Sequence, residues 1–345
     1  MNAQVESRIY ESTDVTDTPK TAADLVKLSD QYRQAAVLHY AMAEKIFDHT
    51  EVECSAHELA GRLGLVANKV KILLNALVAL GLLKRSGEKY LNTDMTNNYL
   101  RSASGNYLGP IIDHQRLQWQ NWPRMGEVLR SEQSLQFQQE NRFEHDHQAR
   151  DAFNNAMVRL SQPMVDAVKA LPIFDQARSV IDLAGGHGTY LAQIAKAHRA
   201  INGQIWDLPA TRQAALRTIE KYDLSGRISF FEKNILEAGN YTGANADVVL
   251  LNDCLHYFDQ QEAESVIGLA AGLVNAGGAL LILTMTLNED RLRPALSADF
   301  SLHMMINTNH GELHPTAWIG GVAADHGLNV STQEVGRYTL LICKR

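Results

Sequence analysis

The stretch Val180-Ile181-Asp182-Leu183-Ala184-Gly185-Gly186-His187-Gly188, followed nineteen positions after its last glycine by Asp207, constrains the fold more than any other feature of the chain. An apolar run ending in an acid, then glycines, then the periodic segment Thr189 to Ala197, reads as strand, tight turn and helix. That is the order in which an open α/β sheet binds ligands at its strand ends. Glycines in the turn let a ligand approach the backbone closely.

The glycines do not form G-x-G-x-x-G, because Leu191 stands where the third would be, and no G-x-x-x-x-G-K-[ST] loop is present. What remains is Asp182 on the first strand, Gly185, Gly186 and Gly188 in the turn, and Asp207 ending the next strand. This set suits a cofactor with an ammonium group and a ribose but no phosphates, which describes S-adenosylmethionine. A turn serving chain reversal alone leaves both acids unexplained.

With 345 residues, 45% hydrophobic and 21% charged, the chain is long enough for two globular domains. A net charge of −7 argues against a nucleic-acid partner and for small molecules. Cys54, Cys254 and Cys343 are too few and too scattered for a disulfide or cysteine-only metal framework. The start lacks an apolar signal region and no run reaches membrane-spanning length, so a cytoplasmic protein is expected.

Residues 1–20 read as a disordered tail. The segment Asp30 to Phe47 reads as a helix with a broad apolar face that includes Val37, Leu38 and Ile46. Ser55 and Glu58 form a capping box, Gly61 to Leu65 a turn, and a helix carrying Val70, Leu74 and Leu77 follows, then a hairpin over Lys84 to Thr93. This is a winged-helix pattern, but Lys69 and Lys71 are the only basic residues on the would-be recognition helix, so burial against a second subunit is expected rather than DNA binding. The expected organisation is 21–105 winged-helix-like dimerisation domain, 106–175 helical linker and active-site roof, and 176–345 catalytic domain. His145 and His147, two apart, are expected to face solvent. Strands are expected near Gln204 to Asp207, Ile228 to Phe231, Asp247 to Asn252, Ala279 to Thr286, Asn329 to Val335 and Tyr338 to Cys343. The last two are close enough for a hairpin, giving a doubly wound, mostly parallel sheet with an antiparallel C-terminal edge.

The segments Asp182 to Gly188, Asp207-Leu208-Pro209 and Leu255-His256-Tyr257-Phe258-Asp259 resemble the three signatures of the small-molecule methyltransferases that include the plant caffeic-acid type and many bacterial antibiotic O-methyltransferases. The likeness spans nearly the whole chain and implies a homodimer. It also implies that Gly185, Gly186 and Gly188 line the methionine part of S-adenosylmethionine, that Asp207 takes the ribose hydroxyls with Leu208 beside it, and that Asn234 and Ile235 flank the adenine. Asn252 belongs to the same crevice. Asn234 stands where the family usually has Asp. Met157 falls where the family places a methionine near the sulfonium, and equally reads as a core residue.

In the O-methylating members the histidine at position 256 is the general base, oriented by two glutamates. Here Thr284 and Leu313 occupy the glutamate positions, while His303, His310 and His314 supply additional imidazoles. A histidine without its carboxylates but beside a second histidine resembles the α-keto acid C-methyltransferases, which hold a metal on a His pair. The chain looks most like the member acting on 5-guanidino-2-oxopentanoate. On that reading His256 and His303 bind a divalent or ferric ion that stabilises an enolate. His303 also reads as a cavity-lining residue of a helix, and His310 and His314 as loop residues. Arg116 or Arg124, around Trp119 and Trp122, would hold a substrate carboxylate. Two alternatives remain: a metal-free O-methyltransferase of a phenol or enol with His256 as base, and a winged-helix regulator that senses the cofactor.

Overall fold

The computed structural model describes residues 19–131 and 147–345. The chain divides into two units. One comprises Thr16–Gln120 with Asp151–Arg159; the other holds Leu160–Arg345 and the short helical stretch that starts at Asn121. Most of the expected tail, and His145, lie outside the described residues, as does the side chain of His147.

In the first unit the long helix expected from Asp30 to Phe47 is divided. Helices Ala22–Asp30, Tyr32–Ala43 and Ile46–His49 follow one another, and the last break falls at Lys45, whose φ of 52° leaves the helical region. No residue of Ala22–Asp30 is buried, and Leu25, Val26, Leu28 and Tyr32 are all exposed. The capping box forms as expected: the backbone N–H of Glu58 donates to Ser55 Oγ, and Ser55 N–H donates to Glu58 Oε2. Such a cap is worth about 1 kcal/mol. It starts helix Ala56–Leu63, which runs through Gly61 and ends at Gly64 in the left-handed region, so the turn is shorter than expected. Helix Ala67–Ala79 and a three-stranded sheet in the order β1 (Cys54–Ser55), β3 (Lys89–Asn92), β2 (Leu83–Ser86) complete the winged shape.

The second unit is a seven-stranded sheet: β4 (Ser179–Leu183), β5 (Asn202–Asp207), β6 (Ile228–Glu232), β7 (Ala246–Asn252), β8 (Val274–Met285), β9 (Asn329–Val335) and β10 (Tyr338–Lys344). They lie in the order β6-β5-β4-β7-β8-β10-β9. All neighbours are parallel except β10, which runs antiparallel to β8 and β9. The central strands read as continuous apolar runs because both faces are covered. Val180, Val248, Leu250 and Leu281 point into one core layer with Leu191 and Ile194 of helix Thr189–Ala197. Ile181, Val249, Leu251 and Ile282 point into the other, against Val266 and Ile267 of helix Gln260–Gly272 and Ile319 of helix Thr316–Asp325. Chain direction reverses its walk across the sheet at β4, so the ends of β4, β5 and β7 open on one crevice.

Candidate active site

Three strand ends build one side of the site. The turn after β4 is tight because two positions tolerate no side chain. A Cβ on Gly188, whose φ is +71°, would lie 2.5 Å from Ile205 Cδ1, and one on Gly185 would lie 2.8 Å from Asp182 Cγ. Asp207, at the end of β5, accepts the N–H of Gly186 on Oδ2 and that of Leu208 on Oδ1, each at 2.6 Å. Two backbone donors and the Thr211 hydroxyl still leave the carboxylate acceptor capacity for a further donor. His187 Nδ1 accepts the N–H of Thr189 at 3.2 Å, and burial brings the ring down to about 4.

The crevice carries polar atoms with no partner inside the protein. Among the described residues, Asp182 Oδ2, Tyr190 Oη and both side-chain atoms of Asn252 are buried without a hydrogen bond. Burial, with Asp207 adding like-charge repulsion, pushes Asp182 up to about 8. Unpaired groups of this kind cost stability unless a ligand satisfies them. A cationic, hydroxylated ligand of the shape of S-adenosylmethionine meets these requirements: donors for the carboxylates, positive charge for Asp182, and room over the glycines. Ile235 is buried, with its carbonyl accepting from Tyr241 Oη at 2.8 Å. Asn234 Oδ1 accepts the N–H of Leu236 at 3.0 Å, which leaves the amide a second lone pair and its NH2 group.

Beyond Asn252 the chain passes through Asp253, which has a φ of 54°, into the short turn Leu255–Tyr257 that carries His256. His256 is buried, and its Nδ1, which has no hydrogen-bond partner, lies 3.7 Å from Asp253 Oδ1. Burial, reinforced by His314 and His303, brings His256 down to about 3, so the ring is neutral at pH 7. Burial raises Asp253 to about 6 and Arg337 opposes that rise. Aromatic rings surround the imidazole. Tyr257 and Phe300 lie at centroid distances of 4.7 and 5.4 Å; His303 stacks on Phe300 at 5.6 Å, and Trp122 tilts against His303 at 6.0 Å.

The expected His256–His303 metal site does not fit. Among the described residues no group of three or more His, Cys, Asp or Glu side chains is arranged to hold a metal ion. Two imidazoles fall short of the three protein ligands usual in a catalytic site, and the Phe300 ring packs against both. His314 is buried and donates from Nε2 to the Phe258 carbonyl at 3.1 Å, while His310 is exposed. The cations expected for a carboxylate are engaged: Arg124 pairs with Glu127 at 2.9 Å, and Arg116 faces Asp113 at 3.4 Å. Arg116, Trp119 and Met157 belong to the first unit, where Trp119 meets His39 edge-on at 5.4 Å. Asp253, Tyr190 and Phe300 were not expected at the site. An acid three residues before a histidine was the available signal for the first.

Comparison with known proteins places this geometry in a family. The profile of the O-methyltransferase domain matches residues 134–327, more than half of the chain, and that of the O-methyltransferase dimerisation domain matches residues 26–102. The solved structure of an O-methyltransferase family protein from Burkholderia thailandensis superposes with a TM-score of 0.92 at 63% identity, over 95% of this chain and 99% of that one. The 3-hydroxy-5-methyl-1-naphthoate 3-O-methyltransferase of Streptomyces sahachiroi is 26% identical over 278 residues, 77% of this chain and 79% of its own length. Human N-acetylserotonin methyltransferase, solved in complex with S-adenosylmethionine, shares the fold with a TM-score of 0.80 at 18% identity, over 96% of this chain and 99% of that one. The similarities favour oxygen as the methyl acceptor and lend no support to the α-keto acid C-methyltransferase subtype. The chain belongs to the S-adenosylmethionine-dependent small-molecule O-methyltransferase family.

Proposed function

We propose that the protein transfers a methyl group to the hydroxyl oxygen of a small aromatic or enolic metabolite, with His256 as the general base. The observation that carries this reading is the neutral, buried imidazole of His256, four residues beyond the cofactor crevice at Asn252 and ringed by Tyr257, Phe300 and His303. Such a lining suits a flat, apolar acceptor. The naphthoate acceptor in the name of the Streptomyces relative is of that kind.

When bound, S-adenosylmethionine supplies a methyl group on a positively charged sulfur. Asp207 would hold the ribose hydroxyls with Leu208 beside it, Asp182 and Asn252 would face the amino-acid end, and Ile235 would pack by the adenine. Gly185, Gly186 and Gly188 leave the backbone approachable. His256 Nε2 then takes the acceptor's proton. Burial holds the His256 imidazole down to about 3, which makes it a weak base for a phenol, so proton removal would be coupled to methylation of the oxygen rather than precede it.

We also propose a homodimer formed through the first unit. The support is the dimerisation profile at residues 26–102 and the exposed Leu25, Val26, Leu28 and Tyr32, an apolar face of the kind that marks an interface.

The test is incorporation of label from methyl-labelled cofactor into a panel of hydroxylated naphthalenes, simpler phenols and 2-oxo acids. Incorporation into hydroxylated aromatics that falls at least about 100-fold in His256→Ala supports the reading. Incorporation into 2-oxo acids alone overturns it.

A further inference from the structure

The two positions at which related enzymes place orienting glutamates are closed here to any such role. Thr284 is buried in β8 opposite Thr339 of β10, and Leu313 is fully buried in the core beside β4 and β8. Neither can accept a proton-bearing nitrogen as a carboxylate does. His256 Nδ1 is nonetheless buried and has no hydrogen-bond partner, and an imidazole free to choose its tautomer serves poorly as a base of fixed direction.

We propose that Asp253 is the positioning residue for His256, holding the proton on Nδ1 and thereby presenting the Nε2 lone pair to the acceptor. Its Oδ1 lies 3.7 Å from Nδ1, three residues along the chain and just beyond hydrogen-bond length. Catalytic hydrogen bonds in ligand-free proteins are often long and tighten on binding, and here a movement of about 1 Å suffices.

The backbone supports the assignment. Asp253 takes a φ of 54°, in the left-handed region that aspartate tolerates better than most residues with a Cβ, and its N–H donates to the Leu283 carbonyl at 2.8 Å. The positive φ falls next to the end of β7, and the carboxylate and the imidazole three residues later lie 3.7 Å apart. The groups facing Asp253 are Arg337 from the β9–β10 hairpin, Tyr190 from helix Thr189–Ala197 and neighbouring Cys254. Those facing His256 are His303 and His314. His303 and His314 both disfavour a proton on the His256 ring, whereas the Asp253 carboxylate, 3.7 Å from Nδ1, is placed to accept one there.

The inference rests on His256 being the base, so its test reads the tautomer and not turnover. Full-length protein carrying ¹⁵N-histidine is examined by two-bond ¹H–¹⁵N correlation at neutral pH with S-adenosylhomocysteine added, and the His256 signals are assigned by their loss in His256→Gln. We expect His256 in the Nδ1–H form at more than about nine-tenths in the unaltered protein, because the partner of one nitrogen sets the tautomer. That share should fall at least about threefold in Asp253→Ala, and at least about twofold in the isosteric Asp253→Asn. An unaltered protein with its proton on Nε2, or a share unchanged in either folded variant, overturns the proposal. Failure of methyl transfer to hydroxylated aromatics would leave this result standing, and the two outcomes are therefore separable.

Discussion

The cofactor side and the acceptor side of the site lie four residues apart in sequence, yet they are built differently. At the ends of β4, β5 and β7 the chemistry is anchored by backbone: Asp207 grips two N–H groups and a Cβ at Gly188 would collide with Ile205. Around His256 the pieces are side chains from separate segments, with Phe300 and His303 arriving from helix Ala295–Asn307 and Trp122 from a distant turn. A backbone-anchored site is rigid and tolerates few exchanges, whereas a site of converging side chains can be remodelled for a new acceptor without disturbing the sheet.

Substitutions can break that contrast in order of expected size. His256→Ala should lower kcat by about 10² to 10⁴, while the dissociation constant for S-adenosylmethionine, read by calorimetry, stays within about threefold. Asp207→Ala should do the reverse, weakening cofactor binding by about 100-fold through loss of charge-assisted bonds to the ribose and to Gly186. Asp253→Asn should reduce kcat by roughly 10- to 100-fold at saturating cofactor; in a His256→Ala background it should add almost nothing, since residues acting as a unit are not additive.

A pH series sharpens the same contrast. Asp182, raised to about 8, carries its proton at neutral pH. A cationic ligand gains most from the ionised form, so binding releases a proton. Affinity should rise with pH by up to about tenfold per unit and level off above about 8, a slope that Asp182→Asn removes. The sign for folding is opposite. The neutral form that the fold prefers contributes stability that is fully present below the unfolded value, near 3.8, and is lost as pH rises through about 8. The smallest effect belongs to Arg124→Ala, which breaks an exposed pair with Glu127 and should leave turnover within about twofold.

The same contrast explains what was legible in the sequence. Helix Thr189–Ala197, the capping box at Ser55 and the strand ends at Asp182 and Asp207 depend on neighbours within a few residues, and each is where local patterning put it. Strand β8 begins at Val274, earlier than its apolar run, because Val274 pairs with Ala246 and the ladder then skips the turn-like Asn275 to Gly278 before resuming at Ala279 opposite Val248. The break at Lys45 left no signal, since a lysine side chain does not call for a positive φ, and Asp253 left only the weak one that aspartate tolerates the left-handed region better than most residues. The meeting of His256 with Phe300 and His303 depends on how helix Ala295–Asn307 lies over the sheet. Spacing along the chain could suggest a histidine pair but not the phenylalanine ring packed against both, and the metal expectation rested on that missing information.

The most direct measurement is the position of the transferred methyl group. With ¹³C-methyl cofactor, unaltered enzyme treated with a chelator, and a hydroxylated naphthalene alongside 2-oxo acids, carbon NMR distinguishes a methyl on oxygen from one on carbon. We expect an O-methyl resonance of undiminished intensity after chelation. A methyl appearing on the β-carbon of a 2-oxo acid, lost on chelation and restored by metal, would contradict it.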